Sequence, residues 1–242
     1  MLLQNIICII NIVLFIYIIY LIYTTKHIKE SFINHTNRKC FSRKMSQNEV
    51  ERYRELLKIT FNILNKHNID WIPISGNLLS IYRHKTLFIK WDDDYDIVIN
   101  NKQVNKELEI LKYELPKYGV SLSYHRKYKD GQLYKVSFTK ESNKFITKYN
   151  KYTWPFIDIF VNLSPDDNPT TAHNLMENEY PLLKKNIEGI DVNIPSNGPR
   201  SYNIFNKEGF IETCKEQDWI HSLEKSIPCN GEKEVKCSTL EN

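Results

Sequence analysis

The sequence has no cysteine pair at C-x2-C spacing, no block of basic residues, no internal repeat, and only 7 glycines among 242 residues. Without close cysteine pairs, the common zinc modules are excluded. A formal net charge of +4, scattered along the chain, argues against nucleic acid as a partner. No small-x-small cleavage site follows the one long apolar run. That run is therefore expected to remain as an anchor rather than be removed as a signal peptide.

What is present is ordinary for a folded domain, with 41% hydrophobic and 26% charged residues. Ile6 to Tyr23 is almost unbroken Ile, Leu, Val, Phe and Tyr, interrupted by Asn11. As a helix it would span about 27 Å, close to a bilayer core. Lys26, Lys29, Arg38, Lys39, Arg43 and Lys44 follow it as a membrane-flanking basic stretch. The domain expectation is a membrane anchor over 1–24, a polar stalk over 25–45, a globular domain over 46–230 and a solvated tail over 231–242. Positive charge after the helix would keep the domain in the cytoplasm. Two sequons, Asn34-His35-Thr36 and Asn162-Leu163-Ser164, would suit a glycoprotein on the opposite side. Cys40, Cys214, Cys229 and Cys237 permit two disulfides. A zinc site of Cys214, Cys229, Cys237 and His221 is the less favoured alternative to disulfides or free thiols.

Ser46-x-x-Glu49 is a capping box, and Val50, Tyr53, Leu57, Phe61 and Leu64 follow at helical spacing. Trp71 to Ser75 predicts a short strand near an edge, because of Pro73. Asn77 to Tyr82 predicts a short helix, Tyr95 to Asn100 a buried strand and Val104 to Leu115 a second long helix. Val120–Arg126 and Leu133–Lys140 alternate around a Lys129-Asp130-Gly131 turn, which predicts a hairpin. Phe156 to Leu163 predicts a further strand. This order gives an α/β (α+β) domain, a mixed β-sheet with packed helices, preceded by one N-terminal transmembrane helix.

The chemistry concentrates in Trp91-Asp92-Asp93-Asp94-Tyr95-Asp96-Ile97-Val98-Ile99. Four carboxylates running into an apolar strand repel one another unless a cation neutralises them. Asp94 and Asp96 share a face, with Asp92 in phase. Such oxygen ligands suit Mg²⁺ or Mn²⁺. The bland reading is a solvated acidic loop. Asp158, inside Phe156-Ile157-Asp158-Ile159-Phe160, is costly there unless paired, protonated or metal-bound. Ser75-Gly76-Asn77, ending a strand and opening a helix, offers backbone N–H groups to a phosphate. Arg83 is either a second phosphate ligand or half of a surface salt bridge, and Trp91 packs to position the acidic strand.

Residues 71–99, from Trp71-Ile-Pro-Ile-Ser-Gly-Asn-Leu-Leu to Trp91-Asp-Asp-Asp-Tyr-Asp-Ile, resemble the core of the LicD/fukutin family. That core has a Ser-Gly-x-Leu-Leu turn, an Arg and a Trp-Asp-x-Asp-x-Asp run. Phe156-Ile-Asp-Ile-Phe resembles its later Asp-Ile-Phe strand. Tyr180-Pro-Leu and Ile194-Pro195 resemble later elements more loosely. Lys90, Ser80 and Lys85 depart from the family pattern, where Pro, Gly and Gly are usual. The resemblance implies a nucleotidyltransferase-like fold and a transferase. It implies a phospho-alcohol of the phosphocholine or ribitol phosphate type, moved from a CDP-alcohol to a glycan or glycoprotein hydroxyl. Asp94, Asp96, Asp158 and Asp92 would hold the metal, and Asp158 would complete that site or take the acceptor's proton. Ser75, Gly76, Asn77 and Arg83 would hold phosphate. The alternatives are an Asp-x-Asp glycosyltransferase using a nucleotide-sugar, or a membrane-tethered binding protein with no catalysis.

Overall fold

A computed structural model describes residues 13–18, 20, 38–99, 104–128, 131–139, 144–146, 151–162, 181–196 and 212–240. Its first long helix, α1 (Gln47–Lys66), starts where the sequence predicts. Ser46 caps the Glu49 N–H, and the Glu49 carboxylate returns to the Ser46 N–H. The apolar stripe is buried throughout and lies on the sheet. Phe61 stacks on Trp71 with centroids 4.0 Å apart, and the Tyr53 hydroxyl donates to the Phe156 carbonyl at 3.2 Å.

Strand β1 (Trp71–Pro73) leads into α2 (Ser75–Arg83), then β2 (Asp96–Ile99) and α3 (Val104–Glu114). A 3₁₀ turn, Leu115–Tyr118, extends α3 and ends at Gly119, whose φ of 69° is the left-handed cap that glycine tolerates. Then come β3 (Val120–Tyr128), β4 (Gly131–Phe138), the short pair β5 (Lys144–Ile146) and β6 (Lys151–Thr153), and β7 (Phe156–Asn162). The central sheet runs β1-β2-β7-β4-β3, and only β2 and β7 are parallel. Pro73 sits on the edge strand, where its missing N–H costs no ladder bond.

A second hairpin, β8 (Leu182–Ile187) and β9 (Ile190–Pro195), packs against α1 and β1. Its tight turn uses positive φ at Glu188 and Gly189. The C-terminal part is built from two small ladders. β10 (Thr213–Lys215) pairs with β13 (Glu234–Lys236), and β11 (Trp219–Ile220) pairs with β12 (Lys225–Ser226).

Two boundary expectations are corrected. Residues 38–45 of the expected stalk belong to the domain. Lys39 bridges Asn230, Cys40 is disulfide-bonded to Cys229, and Arg38 forms a buried ion pair with Glu216. The expected tail over 231–242 is likewise structured through residue 240, because β13 and a Cys214–Cys237 disulfide hold it. The two disulfides also separate Cys229 from the other residues of the expected zinc set. Within Ile6–Tyr23, residues 13–18 and 20 are helical and exposed, and the rest lies outside the described residues. Among the described residues no helix is long and apolar enough to cross a membrane. The sequon at Asn34 also lies outside them, and Asn162 ends β7.

Candidate active site

The parallel pairing of β2 and β7 sets Asp96 directly opposite Asp158. The antiparallel pairing of β7 and β4 sets Asp158 opposite Lys135. The three residues form a row across the sheet, and the buried Lys135 ammonium lies 2.7 Å from an Asp158 oxygen. Lys135 also sits 3.5 Å over the Phe156 ring. The ion-paired reading of Asp158 is therefore realised, with Lys135 as the partner. Burial pushes the Asp158 carboxyl up to about 6, against the opposing pull of Lys135.

Asp92, Asp94, Asp96 and Asp158 all line one cavity of about 540 Å³, together with Ser75, Gly76, Asn77, Arg83 and Trp91. Every site residue picked out from the sequence thus reaches the same cavity. Burial first, then the Asp94 charge, raises the Asp92 carboxyl well above the usual carboxylate range. Asp96 is raised in the same direction by burial, then by Asp94 and Asp158. Among the described residues, no three of these carboxylates draw together within 4.8 Å as a set. The donor chemistry nevertheless fits a hard divalent cation. The ligand atoms are all oxygen, they share one cavity, and their mutual repulsion disfavours ionisation until positive charge arrives.

The helix α2 shapes the floor. Ser75 takes a φ of 52°, a strained conformation for a residue with a side chain. Gly76 follows in the first turn, where a Cβ would lie 2.7 Å from Asp92 Oδ2. Glycine is required for that close approach. Asn77 is engaged as a bracket: its Nδ2 donates to the Asp94 carbonyl at 3.2 Å, and its Oδ1 accepts from the Asp96 N–H at 2.7 Å. The Asn77 N–H donates to the Ile74 carbonyl. Asn77 therefore fixes the acidic run, and Ser75 and Gly76 are the turn residues that line the cavity. The Arg83 guanidinium donates to the Thr213 carbonyl at 3.0 Å and to His84 Nε2 at 2.7 Å, which ties α2 to β10. Trp91 packs edge-on against Phe41 and His84, beside the Cys214–Cys237 disulfide.

Asp93 also lines this cavity, but its carboxylate is taken up in structural hydrogen bonds. It accepts from the His221 N–H at 3.0 Å, the Ser222 N–H at 2.8 Å and Arg43 at 2.6 Å. Burial pushes its carboxyl up, but the Arg43 charge and the bonds from Ser222 and Arg43 hold it below the usual range. Its carbonyl accepts from the Trp154 indole at 2.8 Å. Through this clamp, His221 Nε2 reaches Asp94 Oδ2 at 3.0 Å. Sequence reasoning missed Lys135, and it considered His221 only as a member of a zinc set, away from the acidic run. The alternation of β4 makes a lysine look solvent-facing, and nothing local marks His221.

The family described as LicD/FKTN/FKRP, nucleotidyltransferase domain, matches residues 68–197. An uncharacterized protein of Rickettsia prowazekii is 29% identical over 210 residues, covering 79% of this chain and 71% of its own length. One from Rickettsia typhi is 30% identical over 207 residues, covering 79% of this chain. The chain spans only 60% of that second relative's length. Among solved structures, an antigenic nucleotidyltransferase-like protein from Paracoccidioides brasiliensis overlaps at 12% identity and a TM-score of 0.38. It covers 60% of this chain and 61% of its own. The lincomycin-bound lincosamide antibiotic adenylyltransferase LnuA overlaps at 13% identity and a TM-score of 0.36, covering 68% of this chain and 88% of its own. Overlap that partial supports no conclusion about this chain. The match over residues 68–197 spans more than half of the chain and contains β1, α2, the acidic run and β7, so the protein belongs to the LicD/FKTN/FKRP family through its nucleotidyltransferase domain.

Proposed function

We propose that the protein transfers a phospho-alcohol, of the phosphocholine or ribitol phosphate type, from a CDP-alcohol to a glycan hydroxyl. The observation that carries this reading is the Asp96–Asp158 pairing across β2 and β7, in one cavity with Asp94. Family membership supports a transferase of this general type. Asp94, Asp96 and Asp158, with Asp92, would hold Mg²⁺ or Mn²⁺, which when bound offsets the charge of the donor's pyrophosphate.

The chain's own residues supply the rest. Asp158, with its carboxyl pushed up to about 6, would either complete that metal set or take the proton of the acceptor hydroxyl. Lys135 orients that carboxylate through the 2.7 Å contact. As the acceptor oxygen forms its bond to the phosphorus, the bond from that phosphorus to CMP breaks, and CMP leaves with the electron pair. Ser75 and Gly76, at the turn that lines the cavity, would hold a donor phosphate, with Arg83 at the cavity wall. Residues 1–24 would tether the domain to a membrane. The two disulfides favour an oxidising compartment for the domain over the cytoplasm suggested by the positive-inside rule.

The test is a titration of the full chain with CDP-ribitol, CDP-choline, UDP-sugars and GDP-sugars, each with Mg²⁺ or Mn²⁺, repeated with Asp94→Asn and Asp96→Asn. Metal-dependent binding of a CDP-alcohol that both variants abolish is the expected result. Preference for a nucleotide-sugar would replace this reading with a glycosyltransferase. A folded chain that binds none of them would point to a binding protein.

A further inference from the structure

A second cavity, of about 580 Å³, lies on the other side of the wall formed by Arg83, Ile89 and Trp91, residues that line both cavities. Its polar character is opposite to that of the acidic site. Lys44, Arg54, Arg83 and Lys90 line it, against one carboxylate, Glu188. Glu188 is taken up in a 2.6 Å ion pair with Arg54. Lys44 and Lys90 are brought together by the backbone, because the N–H of Met45 donates to the carbonyl of Lys90 at 2.7 Å. Both lysines are exposed at the rim.

The lining also carries unspent hydrogen-bonding capacity. Arg54 Nε, Thr86 Oγ1 and Trp91 Nε1 are buried atoms with no partner among the described residues. All three carry a hydrogen to donate, and all three residues line this cavity. Buried donors left unpaired are rare and call for an acceptor. Three of them beside a cluster of cations select a compact oxyanion, since a neutral ligand would leave the charge uncompensated. Val50, Phe88 and Leu240 supply an apolar wall to the same space. The ligand therefore combines a charged oxygen-rich head with an apolar neighbour.

We propose that this cavity is an oxyanion site that takes a phosphoester group, distinct from the acidic cavity and separated from it by the Arg83–Trp91 wall. It goes beyond the transferase reading and does not depend on it. The phosphoester comes either from a lipid headgroup or from a water-soluble phosphorylated molecule. Lys44 lies at the end of the basic stretch that follows the expected anchor, so the site is connected by a short length of chain to a membrane-proximal segment.

The experiment uses the full chain in EDTA, which keeps divalent cations out of the acidic cavity. Inorganic phosphate and dihexanoyl phosphatidic acid are titrated separately by calorimetry into the wild type, Thr86→Val, Lys90→Gln and Asp94→Asn. Thr86→Val keeps the side-chain shape, and Lys90 is exposed, so both variants should fold, as a melting curve will report. Each is expected to weaken binding about 10- to 100-fold, as loss of one charge-assisted hydrogen bond does. Asp94→Asn should leave both affinities unchanged. Phosphatidic acid binding about tenfold or more tighter than phosphate would support a lipid source, because it uses the apolar wall. Comparable affinities would support a soluble phosphoester. Absence of binding to both probes overturns the proposal. So does binding that Thr86→Val and Lys90→Gln leave untouched, or that only Asp94→Asn alters. Absence of CDP-alcohol binding by the wild type in the Mg²⁺ titrations would refute the transferase reading and leave this one standing.

Discussion

Asp158 faces Lys135 on one side of β7 and Asp96 on the other, so one buried cation borders the acidic row. Removing that cation should be expensive. Lys135→Met keeps the volume and leaves Asp158 uncompensated beside Asp96. Stability in EDTA at neutral pH should fall by about 3 kcal/mol or more, as when one partner of a buried pair is lost. The loss should shrink as the pH is lowered, because protonated Asp158 needs no partner. Denaturant curves at two pH values check both statements, and a cost that does not vary with pH would contradict the pairing.

Much of the site was legible because its signal is local. Four carboxylates running into Ile97-Val98-Ile99 could not be a cheap surface loop, and their alternation separates Asp93 from Asp92, Asp94 and Asp96. Gly76 was legible as a breaker, though its reason, the approach of Asp92 Oδ2, was not. Lys135 and His221 were hidden because their roles depend on register and on a contact across 127 residues of chain from Asp94 to His221. The stretch 38–45 was misjudged for a related reason. Polarity without periodicity looks like a linker, whereas Arg38, Cys40 and Arg43 are held by Glu216, Cys229 and Asp93. Four cysteines allow three pairings, and no sequence pattern chooses among them.

Gly76→Ala separates positioning from folding. In a helix the change usually gains up to about 1 kcal/mol. Here the new methyl meets Asp92 Oδ2, and the carboxylate must move. Melting temperature should change little while metal-dependent donor binding falls about tenfold or more. In an Asp92→Ala background the same substitution should cost no further binding and should stabilise. A double-mutant cycle with no coupling between the two positions would disprove the contact.

Glu107, in the first turn of α3, has a buried oxygen with no partner among the described residues. Burial first, then the charge of Asp70, pushes its carboxyl up to about 7. The folded state therefore holds this proton more tightly than the unfolded state. Its contribution is fully present below the unfolded carboxyl range and is lost as pH rises through about 7. Glu107→Gln should flatten that part of the profile. Urea midpoints at about pH 5 and about pH 7.5 measure it, and equal slopes for wild type and variant would remove Glu107 as the cause.

His221 ties the C-terminal part to the acidic cavity, although it lies beyond the family match at 68–197. Its side chain meets Asp94 at 3.0 Å, while its backbone N–H is held separately by Asp93. The two contacts are independent, so side-chain removal should spare the clamp. In His221→Ala, turnover should fall about 10- to 100-fold, the usual cost of losing a group that orients a ligating carboxylate. The melting temperature should hold, because the Asp93 clamp survives. Asp93→Ala should behave differently. It releases Arg43, Ser222 and His221 together from a buried acceptor, so stability should drop by about 3 kcal/mol or more along with activity. His221→Gln, which can still donate to Asp94, should recover part of the lost turnover. Unchanged turnover in His221→Ala would show that the Asp94 contact has no part in the chemistry. A fall that came with unfolding would show that His221 acts only through the clamp.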